Sequence, residues 1–199
     1  MVAAGSGERF GERKQYQRLG ALRVVDWSLN TARALSDGVV VVVPPDMASE
    51  HEPLADVVVA GGATRSASVR AGLQAVPDEA TYVLVHDAAR PVPLAPLWAR
   101  VIDALRHGAD VVVPVVPVTD TVRERSGATV DRERLVAVQT PQGFRLDVLR
   151  GAHATGAEGT DDASLAEATG AQVVLVDGDP TNIKITEPWH LTVADVLVR

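Results

Sequence analysis

The chain has 199 residues, of which 46% are hydrophobic, and this length and composition predict one folded domain with a substantial core. Its net charge of −7 and its lack of cysteine argue against a duplex-binding protein, a disulfide framework and a thiolate metal site. The apolar runs are no longer than strands and no signal peptide is recognisable, so we expect no membrane span and a cytoplasmic location.

Strand and helix patterns alternate over the first half of the chain. Valine-rich, strand-like runs lie at 39–43, 57–59, 82–85 and 111–113. Apolar residues at helical spacing predict one helix that follows Ser66, its expected N-cap, and another that ends near Gly108. This alternation is typical of an α/β fold with a mostly parallel sheet.

The alternation breaks between residues 114 and 143. Strand-like runs at 119–123 and 135–139 flank a polar turn that contains Ser126 and Gly127, and this pattern predicts a hairpin-like excursion. The remaining predicted elements are short helices at about 147–155 and 162–169, strands at 173–176 and 182–186, and a last helix from about 188.

The chain opens with a glycine-rich stretch, MVAAGSGERFGERK. Gly5 and Gly7 leave backbone N–H groups free to bind a phosphate, and Arg9 and Lys14 could reach the same anion. The spacing is not that of a Walker motif, and an isolated G-x-G is a weak signal. A solvated, charged terminus therefore stays open as the alternative.

Further candidates follow the predicted strands, where ligands bind in sheets of this kind. Asp87 ends a strand and could hold Mg²⁺, although a turn or cap role would also suit it. Arg65 and Ser68 could bind phosphate or nucleotide, or could form a solvated first helical turn. Lys184 would face a charged ligand, or would protect an edge strand against aggregation. Thr160, Asp161 and Asp162 first suggest a helix N-cap followed by acidic first-turn residues.

Eight blocks occur in one order along the chain, at 3–9, 14–16, 61–69, 85–91, 120–121, 139–144, 160–164 and 182–186. In this combination the sequence resembles the 2-C-methyl-D-erythritol 4-phosphate cytidylyltransferase family of the non-mevalonate isoprenoid pathway. The likeness covers nearly the whole chain. Asp-Ala-Ala-Arg-Pro at 87–91 and Thr-Pro-Gln at 140–142 are its most specific parts.

The resemblance implies a Rossmann-like nucleotidyltransferase fold in a single domain over 1–199, with a protruding β-arm at about 114–143. It implies that the 4-phosphate of methylerythritol phosphate attacks the α-phosphorus of CTP with the help of Mg²⁺. The products would be 4-diphosphocytidyl-2-C-methyl-D-erythritol and pyrophosphate. It also implies a homodimer whose arms interlock, with neither a nucleic acid nor a membrane as partner.

The resemblance also implies the residues of the site. Those expected around CTP are Ala3, Ala4, Gly5, Gly7, Gly62, Arg65, Ser68 and Ala88, with Asp87 as the Mg²⁺ ligand. Those expected to stabilise charge at the α-phosphate are Arg9, Lys14 and Lys184. Those expected to bind methylerythritol phosphate are Arg90, Thr121, Arg132, Thr140, Thr160 and Lys184, with Arg132 reaching the site of the neighbouring subunit.

Two alternative functions stay open at the level of sequence. Ribitol 5-phosphate could be the acceptor, since acceptor choice would depend on Arg132, Thr140 and Thr160. The chain could also be a non-catalytic nucleotide-binding module. In the family a strand precedes the glycine-rich loop, whereas only Met1 and Val2 precede it here. We therefore expect the natural chain to begin further upstream.

Overall fold

The structure is a computed structural model and describes residues 1–7 and 10–199. The helices in this part of the chain are α1 (Val24–Leu35), α2 (Arg65–Leu73), α3 (Ala95–Arg106), α4 (Leu146–His153), α5 (Asp162–Ala168) and α6 (Trp189–Leu197). The strands are β1 (Arg18–Leu19), β2 (Leu22–Arg23), β3 (Val40–Val43), β4 (Val57–Ala60), β5 (Tyr82–Val85), β6 (Val111–Pro117), β7 (Val122–Arg123), β8 (Thr129–Val130), β9 (Val136–Val138), β10 (Gln142–Arg145) and β11 (Val173–Asp177).

The main sheet has the strand order β11-β6-β10-β5, and β9 also pairs with β6. β11 and β6 are parallel, as are β3 and β4, which pair separately. β10 runs antiparallel to both of its neighbours, so the sheet is mixed. The α/β fold class expected from the sequence is confirmed.

The first three residues connect β3 to β5. On one side the N–H of Val2 donates to the carbonyl of His86 at 2.8 Å. On the other side the N–H of Val42 donates to Met1 O at 2.9 Å, and the N–H of Ala3 donates to Val42 O at 2.8 Å. The chain before the glycine-rich loop is thus paired on both sides. This pairing delivers the loop to the carboxyl ends of both strands.

Side chains of β6 enter the core on both faces of the sheet. Val111 and Val113 pack in a cluster with Leu149 of α4, whereas Val112 packs with Val101 of α3 and its neighbours. Alternate residues of a strand point to opposite faces, so a strand covered by helices on both sides needs a continuous apolar run. This is why the valine-rich runs of the sequence correspond to strands.

Two predicted details at α2 and after β11 are wrong. The N-cap of α2 is Thr64, whose side chain accepts the N–H of Ala67 at 3.0 Å, and Ser66 lies inside the first turn. Within the described residues no strand forms at 182–186. That segment binds to loops of the site instead of to a sheet edge.

The excursion between β6 and β10 exists, but its predicted hairpin pairing is wrong. β7 pairs with β8 in a short hairpin of its own, and β9 pairs antiparallel with the end of β6. β6 extends to Pro117, four residues beyond the predicted strand, and supplies the edge that β9 occupies. In the part of the chain described, no helix has the length and apolar character needed to cross a membrane.

Candidate active site

A cavity of about 600 Å³ lies beside the carboxyl end of β5, and its size suits a small-molecule ligand. Six of the residues predicted for the site line it, namely Arg65, Asp87, Arg90, Thr140, Thr160 and Lys184. Gln139, Gln142 and Asp161 are also part of its wall. The fold therefore brings together side chains from well-separated parts of the sequence.

Asp87 follows β5 directly, and cations surround its carboxylate. Its Oδ2 accepts a hydrogen bond from Lys184 Nζ at 2.6 Å, and its Oδ1 lies 3.5 Å from Arg65 Nε. Burial would raise the pKa of this carboxyl group, but the charges of Lys184 and Arg65 outweigh burial and hold the pKa well below its usual range. Asp87 is therefore an anion at neutral pH.

Lys184 is carried by an extended segment that returns to the loop after β5. Beyond Lys184, the N–H of Ile185 donates to Ala89 O at 2.8 Å, and the Ile185 side chain is fully buried. Before it, the amide of Asn182 donates to Thr140 O at 2.9 Å. The backbone is held on both sides of Lys184, and this places the ammonium group at the cavity.

Arg90 lines the cavity, but two of its nitrogen atoms already donate hydrogen bonds to backbone carbonyls. Nη1 donates to Asn182 O at 2.5 Å, and Nη2 donates to Val138 O at 3.4 Å. Arg90 thus ties the segment of Lys184 to the base of the arm, and its buried Nε–H is left without a partner among the described residues.

A buried hydrogen-bond chain links His86 and Thr140 to the backbone of Asp87. The Asp87 N–H donates to Thr140 Oγ1 at 3.1 Å, and Thr140 Oγ1 lies 3.1 Å from His86 Nδ1. His86 Nε2 lies 3.1 Å from the carbonyl of Arg90, which can only accept. Burial lowers the pKa of His86 to about 4, so the ring is neutral at pH 7. Nε2 therefore carries the proton, and the Thr140 hydroxyl donates to Nδ1.

The glycine-rich loop is held by the buried side chain of Gln15. Its Nε2 donates to Ala3 O at 2.6 Å and to Gly5 O at 2.9 Å. Gly7 has φ of +78°, and a Cβ there would lie 1.8 Å from the backbone oxygen of Glu12. A side chain cannot be accommodated at this position, so glycine is required for the loop to close.

The glycine-rich loop contacts the loop between β4 and α2. A Cβ on Gly61 would lie 2.3 Å from the Cβ of Ala4, so the two loops pack closely. Of the two cations predicted near this loop, Arg9 lies outside the described residues. Lys14 begins a short 3₁₀ helix, Lys14–Tyr16, directly beyond it.

Ser68 and Ala88 shape the loops of the predicted nucleotide site. The Ser68 hydroxyl donates to Thr64 O at 2.9 Å and accepts the N–H of Gly62 at 3.2 Å. Ala88 is almost completely buried beside the first residues of the chain. Of the described residues predicted to surround CTP, Arg65 lines the cavity, Ser68 lies in α2, and the others lie in the adjoining loops.

Thr121 and Arg132 lie on the exposed arm. Arg132 Nη1 donates to the carbonyl of Thr119 at 2.5 Å, and Arg132 Nε lies 3.4 Å from Glu133 Oε1. Neither Thr121 nor Arg132 is among the described residues that line the cavity. Within one protomer the structure therefore does not bring these two predicted residues to the site.

Asp87 is the residue of the cavity best suited to hold a divalent cation. Among residues 1–7 and 10–199 there is no group of three or more His, Cys, Asp or Glu side chains placed to bind a metal. Nucleotide-dependent enzymes commonly hold Mg²⁺ with one or two carboxylates and the phosphates of the substrate. An ionised carboxylate at the cavity fits this donor set.

Four buried amide side chains hold the loops of the site, and the sequence analysis assigned a role to none of them: Gln15, Gln139, Gln142 and Asn182. Gln142, for example, donates to Asp161 Oδ2 at 2.7 Å and accepts the N–H of Ala163 at 3.2 Å. Each amide lies in a block that carried the family resemblance. A buried amide needs several hydrogen-bond partners. The amide residues within these blocks were therefore the signal by which the sequence could have indicated these positions.

Comparison with known proteins assigns the chain to a family. The family model described as IspD, 2-C-methyl-D-erythritol 4-phosphate cytidylyltransferase, matches residues 1–199. A Rhodococcus jostii protein of that name is 47% identical over 213 residues, which cover 99% of this chain and 92% of that protein. The bifunctional enzyme IspD/IspF of Solidesulfovibrio magneticus is 46% identical over 218 residues. That alignment covers 96% of this chain, and the chain spans only 54% of the bifunctional protein.

Solved structures show the same similarity. The 2-C-methyl-D-erythritol 4-phosphate cytidylyltransferase of Thermus thermophilus superposes with a TM-score of 0.88 at 40% identity, covering 100% of this chain and 97% of that one. The bifunctional IspDF of Campylobacter jejuni gives a TM-score of 0.87 at 27% identity, covering 97% of this chain and 52% of that one. The chain thus corresponds to about half of the bifunctional relatives.

The neutral, buried His86 predicts a pH dependence of stability. Its pKa falls from 6.5 in the unfolded chain to about 4 in the folded protein, so the unfolded state takes up a proton that the folded state does not. The contribution of neutral His86 to the free energy of unfolding is complete above pH 6.5. It is lost as the pH falls towards 4, by at most about 1.4 kcal/mol per pH unit. Urea denaturation at several pH values measures it.

The variant His86→Gln is the control, because its amide can donate and accept but does not titrate. We expect a shallower loss of unfolding free energy between pH 6.5 and 4 than in the unsubstituted protein. Pairing of Asp87 with its cations is lost at lower pH, since the pKa of that carboxyl group is lowered. Equal slopes for the two proteins would show that His86 is not the titrating group.

Proposed function

The chain belongs to the 2-C-methyl-D-erythritol 4-phosphate cytidylyltransferase family, and we propose that it transfers the cytidylyl group of CTP to 2-C-methyl-D-erythritol 4-phosphate. The products are 4-diphosphocytidyl-2-C-methyl-D-erythritol and pyrophosphate. The observation that carries the proposal is the cluster of Asp87, Lys184 and Arg65 at the cavity, within a fold that matches the family over its whole length. The names of these relatives favour methylerythritol phosphate over ribitol phosphate as acceptor.

An oxygen of the sugar phosphate attacks the α-phosphorus of CTP and forms the new P–O bond. The bond between the α-phosphorus and the bridging oxygen breaks, and pyrophosphate leaves with its electron pair. A phosphate nucleophile is already ionised at neutral pH, so the chain need not supply a general base. Catalysis then consists of positioning and of stabilising negative charge, as in other phosphoryl-group transfers.

Lys184 is the described cation best placed to stabilise this charge. Its Nζ lies at the cavity, 2.6 Å from Asp87, at the end of a side chain that is partly exposed. In this proposal Lys14, which begins the 3₁₀ helix directly beyond the glycine-rich loop, and Arg9 also stabilise charge at the α-phosphate. A cation worth as much as an oxyanion-hole donor contributes about 10²–10³ in rate.

Asp87 holds Mg²⁺ in this proposal. A single ionised carboxylate beside a nucleotide site matches the preference of Mg²⁺ for oxygen ligands that include substrate phosphates. When bound, the ion neutralises part of the triphosphate charge. Arg65 orients the nucleotide from the start of α2, and the loops that contain Ala3, Gly5 and Gly62 surround it.

The acceptor phosphate binds next to Thr160 and Lys184, which line the same cavity. Arg90 contributes through the guanidinium N–H groups that its two backbone hydrogen bonds leave unused. Thr140 acts through the hydrogen-bond chain to His86 and Asp87, because its hydroxyl already has two partners. The acceptor side therefore consists of three residues that bind the ligand and of Thr140, which holds the wall.

The functional unit is a homodimer formed through the arm. Val136 and Val138 of β9 are about half exposed, at 46% and 44%. Val136 lies at the base of the arm, outside the described lining of the cavity, and suits an interface with a second copy. Arg132 and Thr121 then reach the site of the neighbouring subunit from the arm.

The function is tested by pyrophosphate release from CTP and Mg²⁺, with methylerythritol 4-phosphate and ribitol 5-phosphate as parallel acceptors. We expect release with the first acceptor only, and a fall of about 10²–10³ in kcat for Lys184→Gln because a charge-stabilising cation is lost. Release with ribitol phosphate alone would identify the other acceptor. CTP binding without release under any condition would leave a nucleotide-binding module.

The role of Arg132 is tested by mixing two inactive variants, Arg132→Ala and Lys184→Gln. A mixed dimer contains one intact site if Arg132 serves the neighbouring subunit. Half of the dimers in an equimolar mixture are mixed, so we expect about a quarter of the unsubstituted rate. No recovery of pyrophosphate release, in a mixture shown to exchange subunits, would place Arg132 in its own subunit or outside the site.

A further inference from the structure

Three polar side chains form a chain of contacts from the protein interior to the cavity. His153 at the end of α4 places Nε2 3.0 Å from Asp162 Oδ1, and Asp162 Oδ2 lies 2.8 Å from Arg65 Nη1. Asp162 is completely buried, and His153 nearly so. The sequence analysis interpreted Asp162 only as part of a helix N-terminus, and the reaction proposed above assigns no role to Asp162 or His153.

The position of Asp162 is fixed from several directions. It is the first residue of α5, and the preceding Asp161 caps the helix by accepting the N–H of Ser164 at 3.0 Å. The buried amide of Gln142 binds both Asp161 and the N–H of Ala163. The Asp162 carboxylate therefore has a defined position, from which it can hold the Arg65 side chain.

Arg65 is held more closely by Asp162 than by Asp87. Its Nη1 is 2.8 Å from Asp162 Oδ2, whereas its Nε is 3.5 Å from Asp87 Oδ1. Burial lowers the pKa of Arg65, but the charges of Asp162 and Asp87 outweigh burial and raise it overall. If Asp87 binds a cation, its contact with Arg65 weakens and the contact with Asp162 remains.

The contact between Asp162 and Arg65 depends on charge. The two atoms are close, yet neither has a partner in hydrogen-bond geometry among the described residues. A buried carboxylate that loses its partner cation is strongly disfavoured, so the pair resists separation. The matching isostere, Asn, removes the charge and leaves the volume almost unchanged.

We propose that Asp162, supported by His153, is a positioning residue that holds the Arg65 guanidinium in the cavity for binding of CTP. This inference rests on the function proposed above, in which Arg65 orients the nucleotide. His153 at the end of α4 and Asp162 at the start of α5 thus hold the Arg65 side chain, which is 24% exposed, in place. Asp162 itself does not touch the substrate.

The sign of the effect separates positioning from simple electrostatics. Removing a buried negative charge next to Arg65 makes the site more positive, and electrostatics alone would then tighten the binding of a triphosphate. Loss of positioning has the opposite effect, because Arg65 must be ordered at the expense of binding energy. Weaker binding of CTP on removal of an anion is therefore diagnostic.

The test is the dissociation constant of CTP with Mg²⁺, measured by titration calorimetry without acceptor. We expect Asp162→Asn to raise this constant about tenfold, within the range of coupling between residues that share an ion pair. Arg65→Met should raise it at least as much. In the double variant, Asp162→Asn should add almost nothing, since there is no guanidinium left to position.

Glu52→Gln is the matched control. Glu52 is a second buried carboxylate, paired with Arg23 at 2.6 Å, and it is not among the described residues that line the cavity. We expect this variant to lose stability and to keep the CTP affinity. His153→Gln can retain the donor and should preserve affinity, whereas His153→Leu should weaken it.

Tighter or unchanged binding in Asp162→Asn, or multiplicative effects in the double variant, would overturn the proposal. If Asp162→Asn does not fold, the dissociation constant of CTP is measured for His153→Leu with and without Arg65→Met. Unchanged or tighter binding in His153→Leu, or multiplicative effects in that double variant, would then overturn the proposal. If Arg65→Met binds CTP normally, the proposal fails at Arg65. Pyrophosphate release by the unsubstituted protein would still support the proposed function in each of these cases.

Discussion

The site depends on one electrostatic constraint, which is that a nearly buried carboxylate stays ionised only while cations face it. Asp87 meets this constraint through Arg65, which lies 22 residues before it, and Lys184, which lies 97 residues after it. The segment after β11 and the start of α2 must therefore converge on the end of β5. Much of the remaining structure around the cavity can be understood as the means of holding these two segments there.

Loops that converge in this way have backbone groups that no sheet satisfies. Amide side chains provide the missing partners, as Gln15 does for Ala3 and Gly5, and Asn182 for Thr140. An amide both donates and accepts, so one buried side chain can join two loops. The site is thus built from irregular segments, but its hydrogen bonds are as fixed as those of the neighbouring strands.

Much of the strand and helix order could be predicted because valine runs and helical spacing report burial directly. The strands near 40, 57, 82 and 111 were predicted in this way, and all four exist. β10 was missed, because Gln142 and Gly143 lack the β-branched character by which strands are recognised. The run at 182–186 was wrongly predicted as a strand, because Ile183 and Ile185 are apolar for packing against α6 and its surroundings.

The site residues were predictable as a set through the family blocks, and six of them do line one cavity. Their division of labour was not predictable, since it depends on which donors are already used. The family resemblance implied that Thr140 binds the substrate, yet its hydroxyl binds the Asp87 backbone and His86. Partners distant in sequence determine such roles, and no local pattern encodes them.

The pairing of Asp87 with Lys184 has a consequence for catalysis. In the proposed reaction Asp87 takes a metal ion, and Lys184 faces a phosphate. Each group then replaces one partner of opposite charge with another, so the buried Asp87 carboxylate does not become an isolated ion. The ligand-free pair stabilises the folded site, and the substrates supply the replacement charges. In the proposal, Asp162 remains a partner of opposite charge for Arg65 when Asp87 binds the metal.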